Sequence, residues 1–78
     1  MSDDLARLGA AAVLRKEIIA WRARASSHRS TLVSASFVLH EIEDLNVDQI
    51  EQLAHDLAGC VREIRTRKQR LAELGEMA

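Results

Sequence analysis

The chain has no proline and no tyrosine, one phenylalanine (Phe37), one tryptophan (Trp21), one cysteine (Cys60) and three glycines in 78 residues. So few turn formers and aromatics exclude a β-sandwich or a doubly wound α/β unit, whose strands and turns draw on those types. A lone cysteine cannot close an internal disulfide, which excludes a disulfide scaffold and fits a reducing compartment. No apolar run approaches the ~20 residues of a membrane span, and the opening MSDDLARLG is acidic rather than signal-like. A cytoplasmic protein with no membrane partner is expected. With a net charge of −1, no global field drives the chain onto nucleic acid.

Alanine, leucine, arginine and glutamate dominate instead, the composition of a helical protein. Apolar residues recur every 3.5 positions in two registers. The first comprises Ala11, Leu14, Ile18, Trp21, Ala25, His28, Leu32, Ala35, Leu39 and Ile42, with His28 the polar exception. The second comprises Ile50, Leu53, Leu57, Cys60, Ile64, Arg67, Leu71 and Leu74, where only Arg67 departs. Repeats this long mark a bundle or coiled-coil seam. Ile42 and Ile50 are eight apart, so the registers do not join and a corner lies between them.

Asn46 is placed as the cap of a second helix, with Gln49 in capping-box spacing and Leu45 with Ile50 as a hydrophobic staple. Gly75 stands past that helix's end. The expected architecture is therefore all-α: one domain over residues 1–78, an antiparallel two-helix hairpin. Helix 1 covers about 3–44, the turn 45–46 and helix 2 47–74. Serines and threonine crowd residues 26–36, which argues for a bend at Ser26-Ser27 or, as the alternative, a break there giving three helices. Gly9 could set apart a short N-terminal turn. A corner at Asn46 places Arg62 to Arg70 opposite Ser30 to Arg22 and leaves residues 3–15 overhanging, with Leu5, Leu8, Val13 and Leu14 uncovered.

More apolar surface is present than one seam uses. Ile19, Val33, Phe37 and Val38 lie off it on helix 1, and Val47, Ala54 and Val61 repeat beside it on helix 2. A broad apolar arc serves a helix with more than one neighbour. These seven residues are the expected interface, either with a second copy in a four-helix bundle or with a host or cognate protein. Charge is segregated as well. Residues 30–59 hold six acids and no Lys or Arg, whereas both flanking stretches are basic. Two hairpins packed head to tail would set each acidic tip beside the other's basic legs. A nucleic acid or acidic partner would instead meet Arg22, Arg24, Arg62, Arg65, Arg67, Lys68 and Arg70.

No catalytic constellation is visible. His40-Glu41 lacks the second histidine of a zincin helix, His28 and His55 have no ligand spacing, and Cys60 has no paired thiol. No enzyme activity, metal or cofactor is expected.

The stretch from Trp21 to Leu71, with its acidic Asp44–Asp48 corner and heptad legs, resembles the plasmid-encoded repressor-of-primer hairpins. That resemblance implies a dimeric antiparallel four-helix bundle. In size and layout the chain also resembles small phage-encoded hairpins that disable host regulators, and small secretion chaperones. A third likeness is to helix-turn-helix DNA readers, carried by Leu53-Ala54, Leu57-Ala58-Gly59-Cys60, Val61, Ile64 and Arg70-Leu71. It implies a turn at Gly59 and places Arg62, Arg65 and Arg67 on DNA. Lys68 departs from that pattern, where an apolar residue is required. The leading expectation is a non-enzymatic regulator, inhibitor or adaptor that binds a protein, of a phage- or mobile-element-like kind.

Overall fold

The computed structural model describes residues 2–37 and 41–75, with side chains from Asp4 onward. Two helices, α1 (Ser2–Ala35) and α2 (Val47–Glu73), pack against each other along a rod of 61 × 15 × 14 Å. Among the described residues of the connection between them, Ile42–Asp44 form a 3₁₀ turn. The architecture is an all-α helical hairpin.

The heptad seam determines which surfaces meet. Between Asp4 and Ala35, the residues of α1 that are not exposed are the eight seam positions from Ala11 to Ala35, plus Glu17. All eight seam positions of α2 are buried or half-buried too. Among the described residues, full burial is confined to Ala11, Leu14, Ile18, Cys60 and Leu71, and Ile64 and Leu74 pack against the cluster of Ala11, Leu14, Ile18 and Leu71. The core thus sits toward the open end of the hairpin. Near the turn, Leu32, Ala35, Ile50 and Leu53 are only half-buried.

α1 passes through the serine-rich stretch and through Gly9 without a break, so neither a three-helix chain nor a separate N-terminal turn forms. Two hydroxyls are absorbed within the helix. Thr31 Oγ1 donates to the Ser27 carbonyl at 3.0 Å and Ser36 Oγ to the Leu32 carbonyl at 2.7 Å. The helix nevertheless ends at Ala35, not near Asp44. Ile42, expected on the seam, is therefore 84% exposed on the 3₁₀ turn. Leu39 and His40, and the predicted interface residue Val38, lie outside the described residues.

α2 begins where its capping signals place it. Asn46 is extended, and its side chain accepts a hydrogen bond from the Gln49 amide at 3.0 Å. Leu45 and Ile50 are both half-buried, as a staple requires. Gly75 takes φ +79°, and its amide donates to the Ala72 carbonyl at 3.0 Å, closing the helix in the left-handed conformation that favours glycine. α2 is continuous through Gly59, so the turn of a helix-turn-helix is absent.

The connection is eleven residues long (36–46) rather than two, and this resets the pairing. α2 slides toward the N-terminus until Arg67 lies opposite Glu17. The basic run Arg62–Arg70 consequently lies opposite about residues 14–22 of α1 rather than Ser30–Arg22. The overhang shrinks accordingly. Ala11 and Leu14 are in the core, and Arg7 reaches the Leu74 carbonyl at 3.5 Å. Leu5, Leu8 and Val13 remain exposed.

Candidate functional site

A 3.5-residue seam divides the hairpin into two long edges, and any residue type repeated every seven positions beside the seam stays on one edge. Arg15, Arg22 and Arg29 repeat in that way on α1; Val61 and Lys68 do so on α2. They meet on the same edge. Arg15, Ile18, Ile19, Arg22, Lys68 and Leu71 line a cavity of about 240 Å³. Arg22, Ala25, Ser26, Arg29, Leu57 and Val61 line the next, of about 380 Å³. Arg22 belongs to both, so the two form one groove. Its floor is aliphatic, its α1 wall is arginine, and the described residues that line it include no carboxylate.

The opposite edge is built differently. Arg67, the one charge in the α2 seam, donates through Nε to Glu17 Oε2 at 2.7 Å and through a second nitrogen to the Glu63 carboxylate. The same nitrogen donates to the Glu63 carbonyl at 3.1 Å. These carboxylate hydrogen bonds, Glu63 first and then Glu17, hold the guanidinium above its ordinary pKa. The guanidinium carbons of Arg67 and Arg24 stand 5.3 and 4.6 Å from the Trp21 ring centroid. His28, His55, Asp56 and Cys60 share an open cavity of about 280 Å³ with Trp21 and Glu63. This edge is mixed in charge and internally paired.

The expected contact residues are therefore redistributed. Ile19 and Val61 from the apolar set and Arg22 and Lys68 from the basic set converge on one groove. Arg24 and Arg67 lie on the other edge, engaged by Trp21 and, for Arg67, by two carboxylates. Arg62, Arg65 and Arg70 are exposed on α2, and Arg70 lines a separate cavity with Val13 and Leu74. Val33 (58%), Phe37 (48%) and Val47 (60%) are exposed toward the turn end, and Ala54 is exposed on α2. The groove's remaining cations, Arg15 and Arg29, are absent from the expected set although their seven-residue repeat with Arg22 was the signal for them.

The outward face of α1 is also unlike that of α2. Twelve exposed positions outside the groove face away from the seam: Leu5, Ala6, Gly9, Ala12, Val13, Lys16, Ala20, Ala23, Ser27, Ser30, Val33 and Ser34. Lys16 is the only charge among them. The corresponding face of α2 carries Asp48, Glu51, Arg62, Arg65 and Glu73.

Among the described residues, no group of three His, Cys, Asp or Glu side chains is placed to hold a metal ion. No described helix is long and apolar enough to cross a membrane. Comparison with protein-family models, curated proteins and solved structures finds no match for this chain.

Proposed function

We propose that this hairpin is a small non-enzymatic regulator, inhibitor or adaptor that works by binding another protein, and that the groove between Arg22 and Val61 is its contact surface. The observation that carries the reading is the convergence of Ile19, Val61, Arg22 and Lys68 on one groove. Apolar side chains framed by cations that keep their heads in water suit a partner with an apolar ridge, because each wall contributes both buried area and orientation. The nearly uncharged outward face of α1 supports self-association as a second element of the reading, a pair of hairpins being the working unit. Nucleic acid is the competing occupant of a basic edge. The aliphatic floor, without a ring on which a base could stack, favours protein.

Site-specific photo-crosslinking in the native host tests this. A benzophenone side chain at Ile19 is expected to capture a second polypeptide, while one at Gln69, exposed on the far face of α2, captures none. Equal capture at both sites, or adducts that nuclease removes, would overturn the proposal.

A further inference from the structure

Between Glu17 and Glu41 the sequence holds no aspartate or glutamate, yet Arg22, Arg24 and Arg29 fall within that stretch. Arg24 stacks on Trp21. Arg22 and Arg29 have neither an ion pair nor a side-chain hydrogen bond among the described residues. The half-buried carboxylates of α2 across the seam, Asp56 and Glu63, line the cavity of the other edge and are taken. Gln52 donates to Asp56 at 2.9 Å, and Arg67 donates to Glu63.

Helix geometry gathers these two arginines around one serine. Side chains three and four positions apart on a helix are neighbours, about 5–6 Å between Cβ atoms. Ser26 is four positions from Arg22, three from Arg29 and four from Ser30, and all of them are exposed. Arg22, Ser26 and Arg29 line one cavity with Ala25, Leu57 and Val61. Ser26 and Arg29 also line the adjoining cavity, of about 440 Å³, with Ser30. Thr31 and Ser36 turn their hydroxyls back onto helix carbonyls, whereas those of Ser26 and Ser30 take no partner among the described residues. Guanidinium and hydroxyl donors therefore stand together, and the described residues that line either cavity include no carboxylate.

Resting on the protein-binding reading above, we propose that Arg22, Ser26, Arg29 and Ser30 bind a phosphoryl group, carried on a phosphorylated serine or threonine of the partner. Such a group brings nearly two negative charges and a set of strong acceptor oxygens. Guanidiniums meet those oxygens in bidentate fashion, and the hydroxyls beside them donate to what is left. The aliphatic floor selects the source. Inorganic phosphate alone would leave Leu57 and Val61 uncovered, and a nucleic-acid strand finds no ring on this edge for its bases. A peptide brings the phosphoryl group and an aliphatic neighbour together.

The test titrates the full chain, at matched ionic strength, with inorganic phosphate, with a short capped peptide holding phosphoserine between leucines, and with the same peptide unmodified. The arginine Nε–H resonances report the anion, and the methyls of Leu57 and Val61 report the floor. The phosphopeptide should move Arg22, Arg29 and both methyls, and bind at least about tenfold more tightly than its unmodified form. That margin should narrow as salt rises. Combined Arg22→Gln and Arg29→Gln should erase it with helicity retained, Ser26→Ala should reduce it, and Arg65→Gln should leave it unchanged. Equal binding of the two peptides would refute the phosphoryl site and leave the protein-binding reading, with its capture at Ile19, standing. Equal movement of Arg62 and Arg65, or a margin that survives the double variant, would reduce the effect to diffuse charge and refute the site. Inorganic phosphate that moves Arg22 and Arg29 while neither peptide moves the methyls would assign the site to a free anion and refute the partner-borne source. Absence of any movement at Arg22 and Arg29 with every probe would overturn the proposal outright.

Discussion

Glu17 and Arg67, fifty residues apart in sequence, meet at 2.7 Å across the seam and set the register of the hairpin. Arg67 takes the one seam position of α2 that lacks an apolar side chain, and its carboxylate partners sit on both helices. A charge in this place costs hydrophobic area but admits few alternative alignments, the role polar seam residues play in coiled coils.

Reversal of that charge would gather three carboxylates against Trp21. Arg67→Glu should therefore lower the thermal midpoint clearly more than Arg62→Glu or Arg65→Glu, both at exposed positions. Added salt should recover part of the loss. Circular-dichroism melts of the three variants at low and high salt would show it; equal midpoints would mean that the triad does not hold the register.

Asn46 caps α2 through the Gln49 amide. Asn46→Ala should cost about 1 kcal/mol, and Asn46→Asp or Asn46→Ser close to nothing. Urea denaturation curves compared at matched slope would resolve a difference of that size.

Leu71 is 1% exposed and central to the small core. Leu71→Ala should remove about 2–5 kcal/mol, a large share of what 78 residues ordinarily hold, whereas Leu5→Ala, at a 73% exposed site, should be nearly silent. Chemical denaturation separates the two cases directly.

Phe37 and Val33 stand exposed at the end of α1. If the outward face of α1 pairs two hairpins, light scattering at micromolar concentration should give about twice 8.7 kDa. Val33→Asp and Phe37→Asp should then shift the mass to the monomer without loss of helicity. A monomer in the parent protein would remove self-association from the functional reading.

Much of this architecture is legible before any coordinates, because a hydrophobic period records the geometry of the seam itself. Every seam position from Ala11 to Ala35 and from Ile50 to Leu74 faces the partner helix. What periodicity cannot do is stop. Ile42 continues the repeat in sequence, yet it stands on the 3₁₀ turn after the helix has ended, since spacing alone does not distinguish a helical turn from an apolar residue in a connection. Ending the helix at Ala35 rather than near Asp44 shifts the pairing by about two turns and changes which cations face which edge. Arg15 and Arg29 share an edge with Val61 and Lys68 only in this register. The division of the arginines between the edge of Trp21 and the edge of Val61 and Lys68 depends on interhelical register, and register is a property of two segments rather than of either one.

The placement of the core has a kinetic consequence. A hairpin is ordinarily fastened at its bend and frays at its open end. Here the fully buried side chains lie between Ala11 and Ile18 on α1 and between Cys60 and Leu71 on α2, so the fastening is far from the bend. The amides of α2's first turns should exchange with solvent soonest and those around Ile18 and Ile64 last. The molecule behaves as tweezers hinged at the tips, whose bend opens first.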